Sequence, residues 1–343
     1  MNHSDFMVPG TSTACCHVCG GNEFKRLYSV VDTNQGVPGK WDILQCQACG
    51  LGILDPMPSP EDISSYYQDN FYSKEEQCRF NPLVEALRLG FGSLRTWGLR
   101  SLVRTPGRVL DYGSGAGHFV TAMKRLGWDV ASVDIANQDD IPTLGRDTVV
   151  MEGEKPHIDY PDNYFDVVSL WYVIEHVISP RETLKEVRRV LKPGGTLLLA
   201  QQDFASIQAK VFGPNWLILD PPRHLYQFDK VNLTRLCNEI GFSLKKVERA
   251  SLEMGPFTIL QSVLNRIMGN QNYLFRFLKN RKLRDASGIL PWGVKETALA
   301  WGSIILALIF GPVVMLCYFL LLTFEQSDVF TLYYRLGAER IDE

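Results

Sequence analysis

Val109-Leu110-Asp111-Tyr112-Gly113-Ser114-Gly115-Ala116-Gly117 is the stretch that decides the fold. An apolar run of strand character, Arg108–Tyr112, ends in three alternating glycines and passes into a segment of helical pattern. Glycine reaches backbone conformations closed to other residues, so such a turn brings amides at a helix N-terminus close to whatever lies at the strand's carboxyl end. A dinucleotide fingerprint would require a further glycine where His118 stands, so the pattern fits a different ligand. Asp111 is placed to bind a cationic amino group, and Asp134, at the end of the next strand-like run, to accept hydrogen bonds from two ribose hydroxyls. Together they describe a nucleoside joined to an amino acid.

Working outward, further strand-like runs occupy residues 129–135, 165–171, 196–201 and 244–249, with helical patterns between them. Ser179-Pro180-Arg181-Glu182 opens a helix over residues 180–191 with a capping serine, a proline at its first position and a glutamate three residues on. Lys192-Pro193-Gly194-Gly195 stops it. Strands alternating with helices at this spacing require right-handed crossovers and a parallel sheet covered on both faces. The expected class is α/β, a Rossmann-like doubly wound sheet.

The glycine segment resembles motif I of class I S-adenosylmethionine-dependent methyltransferases, and Asp134 matches their ribose-binding acid. The resemblance continues in Pro161-Asp162-Asn163-Tyr164-Phe165-Asp166-Val167-Val168, in Val173-Ile174-Glu175-His176-Val177 and in Arg189-Val190-Leu191-Lys192-Pro193-Gly194-Gly195, covering residues 107–253. It implies S-adenosylmethionine as cofactor, held by Asp111, Gly113, Ser114, Gly115, Gly117, Asp134, Ile135 and Trp171, with Glu152 or Glu154 near the adenine. It also implies that residues 328–335 form the sheet's last, antiparallel strand, beside 244–249.

Methyl transfer from a sulfonium needs an aligned nucleophile and, for a hydroxyl or carbon acid, a base. His176 and His224 both lie beyond strand ends and are the candidate bases; packing or support of the cofactor is the other role open to them. Residues 220–226 resemble a Pro-Arg-His-Leu stretch of a bacterial methyltransferase subgroup, which would cap the acceptor pocket with Arg223 and Tyr226; the alternative is a rigid proline turn. Asp220-Pro221-Pro222 is not the motif of amino-group methyltransferases, whose place is taken by Trp171 and Tyr172.

Cys16-His17-Val18-Cys19-Gly20 and Cys46-Gln47-Ala48-Cys49-Gly50 are two Cys-x-x-Cys-Gly turns, a spacing that sets Cys16, Cys19, Cys46 and Cys49 around a structural Zn2+. Cys15 could replace Cys16, and disulfides are the competing reading. These turns resemble the N-terminal zinc ribbon of that same subgroup. The expected organisation is a zinc ribbon at 1–58, a helical linker or cap at 59–105, the methyltransferase core at 106–253, a basic and apolar helical insertion at 254–324 and a final core strand and tail at 325–343. A formal net charge of -3 argues against nucleic acid as a partner. Paired cysteines, and no apolar run of signal-peptide length in the first twenty residues, suit a reducing cytoplasm.

Residues 298–324 contain no charge, a stretch longer than the roughly 20 residues that cross a bilayer. Because residues 328–335 must return to the core sheet, a single crossing is disfavoured. Gly311-Pro312 is expected to split the stretch into two helices of about 20 Å each, a re-entrant or interfacial hairpin. Arg276, Lys279, Arg281, Lys282 and Arg284, with Phe275, Phe277, Trp292 and Trp301, suggest contact with the inner leaflet, peripheral or monotopic. A lid, or the interface of a homodimer, would bury the same residues. The acceptor expected is a small molecule, a glycan or a lipid-linked compound, methylated on O or C. A non-catalytic ribbon and Rossmann binding protein at the membrane, and a nicotinamide oxidoreductase, are the alternatives.

Overall fold

β-Branched and aromatic residues alternate with polar ones near the N-terminus, and there the chain forms β1 (Phe24–Val30), β2 (Trp41–Cys46) and β3 (Gly52–Asp55), an antiparallel meander. The computed structural model describes residues 15–68, 82–134, 148–149, 156–278, 294–324 and 326–337. Two helices follow, α1 (Pro60–Gln68) and α2 (Pro82–Arg100).

The main sheet begins at β4 (Arg108–Tyr112), which passes through the glycine turn into α3 (His118–Arg125). After it come β5 (Asp129–Val133), β6 (Thr148–Val149), β7 (Phe165–Trp171), α4 (Pro180–Val190) and β8 (Leu191–Gln202). β4, β5, β6, β7 and β8 pair in parallel. Val109, Leu110, Val167, Val168, Leu197, Leu198 and Leu199 are wholly buried, as expected for strands covered on both faces. α4 starts at Pro180 as expected, although the Ser179 side chain makes no capping hydrogen bond, and it buries Thr183, Leu184, Val187 and Val190 along one stripe.

Beyond β8 lie α5 (Ile207–Phe212), β9 (Tyr226–Gln227), α6 (Lys230–Glu239) and β10 (Phe242–Glu248). α7 (Gly255–Met268), α8 (Tyr273–Leu278), α9 (Val294–Thr323) and β11 (Val329–Leu336) complete the chain. β11 is antiparallel to both β8 and β10, giving a seven-stranded sheet of order β10-β11-β8-β7-β4-β5-β6. The order reverses at β4 and β7, so the crevice beyond their carboxyl ends is the topological position for a ligand.

β9 pairs with β3, extending the N-terminal meander into a four-stranded sheet seated on the core. Phe24, Leu44, Leu51 and Ile53 share one buried cluster with Leu225, Phe228 and Leu233. The guanidinium of Arg223 fixes the same junction: it donates to both oxygens of Asp32 at 2.9 and 3.0 Å and to Asp220. Asp32 in turn accepts from the backbone N–H groups of Asn34, Gln35 and Val37.

One expectation is corrected. Gly311-Pro312 does not divide the apolar stretch: α9 is a single helix of 30 residues with Pro312 inside it, about 45 Å long at the usual rise. It lies antiparallel along α7, with Tyr318 against Gly255 at one end and Gly302 near Met268 at the other. Ala300, Ser303, Val314 and Tyr318 are buried on this side, while Leu308 and Pro312 face outward. The backbone bond that proline forfeits therefore lies on the outer face, and packing against α7 carries the inner face through without a break. Arg276, expected in an exposed basic cluster, is instead buried. Lys279, Arg281, Lys282, Arg284 and Trp292 fall outside the described residues.

Removing one partner from a buried ion pair strands the other charge. Arg223→Ala is expected to lower unfolding stability by about 3–5 kcal/mol in urea titration; a loss below about 1 kcal/mol would show that Asp32 and Asp220 find other partners.

Candidate functional site

The glycine turn at the end of β4 is built as its sequence requires. Gly113, Gly115 and Gly117 have φ of 76°, 52° and 71°, the left-handed region open to glycine. A side chain at Gly113 would collide with Val173, which comes from the loop after β7, whereas one at Gly115 would project into open space. Among the described residues no side chain caps the N-terminus of α3, so its amides face the crevice. Asp134 is buried, and its Oδ2 accepts from Gly115 N–H at 2.6 Å and lies 3.4 Å from the Ser114 hydroxyl. Gly113 N–H donates to Val133 O at 2.6 Å. The acid at the end of β5 thus holds the turn at the end of β4. Ile135, Glu152 and Glu154 lie outside the described residues.

Asp111 is buried, with its Oδ1 accepting from the Ser169 hydroxyl at 2.7 Å. Burial raises its carboxyl to about 7, Asp134 adding to the shift, against the opposing pull of Ser169 and the Arg95 cation. Trp171 packs on Phe119, ring centroids 5.3 Å apart, and the Arg95 guanidinium sits 4.9 Å over the indole. Arg95 forms a bidentate pair with Glu253 at 2.6 to 3.0 Å. This pair was not read from the sequence, because 158 residues separate its members and nothing local marks either one.

His176 and His224, 48 positions apart in sequence numbering, meet edge to face with ring centroids 4.5 Å apart. The contact arises because the N–H groups of Leu225 and Tyr226 both donate to the carbonyl of Glu175, at 2.8 and 3.3 Å. His176 Nδ1 donates to Arg223 O at 3.0 Å. Burial pushes His176 down to about 3, with His224 beside it adding to the effect, and burial likewise lowers His224 to about 4. Both rings are therefore neutral at physiological pH.

Glu175 is wholly buried, with a carboxylate oxygen within 4.8 Å of a nitrogen of each ring. Its nearest side-chain donor is Gln202, which pulls weakly against the effect of burial, and no stricter hydrogen bond reaches either oxygen among the described residues. Burial lifts this carboxyl to about 8. The Glu-His dipeptide is visible in the sequence, but nothing there says that the glutamate side chain turns inward.

Arg223 and Tyr226 are not arranged to line a pocket. Arg223 is consumed by Asp32 and Asp220, and the Tyr226 hydroxyl lies 2.8 Å from Ile178 O and 3.0 Å from His17 Nδ1. Both side chains point toward the N-terminal sheet.

At that sheet's far end Cys16, Cys19, Cys46 and Cys49 converge, their sulfur atoms all within 4.8 Å of one another. Cys16 and Cys49 are 3.5 Å apart and Cys19 and Cys46 3.6 Å. A tetrahedron with metal–sulfur bonds of about 2.3 Å has edges of about 3.8 Å, so the cluster has the dimensions of a four-thiolate site. Cys15 is exposed and stands outside it.

Residues 91–247 match a family model described as "Methyltransferase domain". Residues 91–247, just under half of the chain, are a methyltransferase domain by this match, which agrees with the sheet order and the glycine turn. Among curated proteins the chain is 32% identical over 110 residues to a "Ubiquinone/menaquinone biosynthesis C-methyltransferase UbiE" of Pseudomonas putida, covering 29% of this chain and 43% of that one. It is 28% identical over 211 residues to a "Ubiquinone biosynthesis O-methyltransferase" of Maricaulis maris, covering 55% and 82%. The chain thus spans less than half the length of the first of these relatives. A solved structure described as the "[4+2]-Cyclase SpnF" aligns at 17% identity and a TM-score of 0.45, covering 72% of this chain and 81% of that one. The methyltransferase domain carries the glycine turn, Asp134 and the Glu175-His176-His224 group.

The Asp111 carboxyl gives this domain a pH signature in the absence of ligand. The folded protein keeps a proton up to about 7 that the unfolded chain releases near 3.8, so this contribution is full below the lower value and is lost as pH rises through the higher. Asp111→Asn is expected to remove that slope. The difference in melting temperature between variant and parent should grow in the variant's favour from pH 4 to pH 7.5, and a constant difference would refute the assignment.

Proposed function

We propose that the chain transfers methyl groups from S-adenosylmethionine to a small-molecule, glycan or lipid-linked acceptor, at oxygen or carbon. The observation that carries this reading is the left-handed glycine turn with Asp134 beside it and open space above Gly115. The residues fit the donor. The amides of Ser114, Gly115 and Gly117 and the uncapped start of α3 would line its amino-acid and ribose portions, Asp111 would face its ammonium group, and Asp134 would exchange the Gly115 N–H for ribose hydroxyls. Trp171, at the end of β7, and Ile135, which lies outside the described residues, complete the proposed donor site. When bound, the donor supplies an electrophilic methyl group on a sulfonium, so the protein's own work is alignment and, for a protic acceptor, proton removal.

His176 and His224 are the proposed proton-accepting groups. Each is neutral and carries a ring lone pair, but rings held near 3 and 4 are weak bases alone. Glu175 beside them, lifted to about 8 by burial, holds its proton at neutral pH, so the proton-accepting lone pairs of the group are those of the histidine rings. Relatives named for ubiquinone and menaquinone biosynthesis support a small-molecule acceptor.

The four-cysteine cluster is proposed to hold a structural Zn2+, a closed site that folds the N-terminal sheet and leaves no open position for chemistry. Calorimetry with S-adenosylmethionine on the zinc-loaded chain is the direct test. Parent protein is expected to bind, and Asp134→Ala to bind at least about tenfold more weakly with its zinc content unchanged, two ribose hydrogen bonds to a charged group being lost. Absence of binding to the folded parent would end the reading, and a chain that folds without zinc would end the metal assignment.

The outer face of α9 is proposed to rest on a cytoplasmic membrane surface. Trp301, Ile305, Leu308, Leu316, Phe319 and Leu320 are exposed along it, and only 11% of its most apolar window is buried. An uncharged face of this length on a helix already packed lengthwise on α7 suits lying in the interface rather than crossing it. Flotation with anionic liposomes is expected for the parent chain and is expected to fail for Leu308→Glu/Leu316→Glu. A parent chain that stays at the bottom of the gradient as a stable dimer would assign the face to a second copy instead.

A further inference from the structure

Helix α2 turns an apolar stripe to solvent. Leu87, Leu94 and Trp97 are 54%, 49% and 72% exposed, and Phe91 between them is half-buried. Positions 87, 90, 91, 94 and 97 recur at the spacing of one helix face, and no charged residue falls on them. A side chain built at Gly90 would meet nothing within 4 Å, so no other part of the chain covers the stripe at that point. The other side of the helix is engaged, with Thr96 and Leu99 buried.

This stripe and the apolar helix α9 stand on one loop. Arg95, next to Leu94, forms its bidentate pair with Glu253 at 2.6 to 3.0 Å, and two residues before Glu253 the Ser251 N–H donates to the Tyr318 hydroxyl of α9 at 2.7 Å. A surface that receives the outer face of α9 therefore lies within short reach of α2. Arg100 and Arg104 are exposed where the stripe ends, which sets cations beside Trp97. An apolar stripe bordered by arginine has the composition of a helix that lies among anionic headgroups, and tryptophan is suited to that layer because its ring is apolar and its N–H stays wet. We propose that α2 is a second membrane contact, its stripe of Leu87, Phe91, Leu94 and Trp97 seated in the headgroup layer of an anionic phospholipid surface. This rests on the reading that the outer face of α9 meets lipid, and it is independent of methyl transfer. α2 also carries the Arg95 guanidinium that covers Trp171, so seating this helix fixes the crevice to the surface from a second point.

The test uses the full zinc-loaded chain with vesicles of phosphatidylcholine and phosphatidylglycerol, pure phosphatidylcholine serving as the neutral arm. Leu94→Glu/Trp97→Glu changes only exposed positions. It is expected to keep the parent's melting temperature and to bind the anionic vesicles at least about tenfold more weakly. Lipids brominated along their chains give a second readout. Parent fluorescence is expected to be quenched on these vesicles, and Trp97→Phe, which keeps an apolar ring and so keeps binding, is expected to lose part of that quenching. Equal affinity of the parent and Leu94→Glu/Trp97→Glu, or equal quenching of the parent and Trp97→Phe, overturns the proposal. If Leu308→Glu/Leu316→Glu abolishes binding while the α2 variant binds like the parent, α9 alone meets lipid and only the α2 contact falls. A parent chain that binds no vesicle sinks both membrane readings, and equal binding to neutral vesicles overturns the assignment to an anionic surface. A parent dimer dispersed by the α2 variant would give the stripe to a second copy and overturn the proposal as well.

Discussion

The guanidinium of Arg223, enclosed between Asp32 and Asp220, is the contact on which the arrangement of the whole chain depends. Both ends of the salt bridge to Asp32 are essentially without solvent, so neither charge can be tolerated without the other. The pair joins the loop between β1 and β2 to the stretch 220–226, which belongs to the methyltransferase domain. Asn34 reinforces it by donating to Asp220, and Asn272 by donating to Thr33 and Asn34. With Arg223 fixed, its carbonyl takes the His176 ring, its neighbour His224 falls against that ring, and Leu225 and Tyr226 close on Glu175. An interaction that looks like a junction between modules is therefore also what assembles the buried group beside the crevice.

The parts of this protein that were legible in the sequence are those whose cause is local. The strand Arg108–Tyr112, the glycine turn and the helix from Pro180 are written in hydrophobic period, in residues able to adopt left-handed backbone and in a proline at a first helical turn. The antiparallel strand Val329–Leu336 was legible through the resemblance of residues 328–335 to a sheet's last strand. Paired Cys-x-x-Cys-Gly turns needed no tertiary information, since each knuckle is closed by its own glycine, Gly20 and Gly50, bonded back to Cys16 and Cys46.

What escaped was tertiary. The resemblance implied that Arg223 and Tyr226 cap an acceptor pocket, with a rigid proline turn as the alternative, yet their partners are Asp32 and His17, far upstream. Burial of Glu175 depends on a segment some fifty residues later folding over it, and the Arg95–Glu253 pair spans 158 positions. Gly311-Pro312 misled for the same reason. Locally a proline costs a helix one hydrogen bond and a steric clash, a few kcal/mol, whereas the inner face of α9 is set by its fit to α7 along its length.

That packing ties the apolar helix to the site through short, specific contacts. The Tyr318 hydroxyl of α9 accepts from Ser251 N–H at 2.7 Å, and the Ser251 hydroxyl in turn accepts from Met254 N–H. Between those residues stands Glu253, the partner of Arg95, whose guanidinium covers Trp171 at the end of β7 and tempers the charge of Asp111. The loop that starts α7 therefore touches the apolar helix on one side and the crevice on the other. If the outer face of α9 rests on lipid, the inner face need not rearrange to permit it, because the residues given to the membrane are not those packed on α7. A membrane surface and the methyl-transfer crevice would then be held in fixed relation by residues 249–255. This is the geometry an enzyme needs when its acceptor keeps an apolar tail in the bilayer, since a fixed distance from surface to crevice selects which atom of such an acceptor can be presented for alignment.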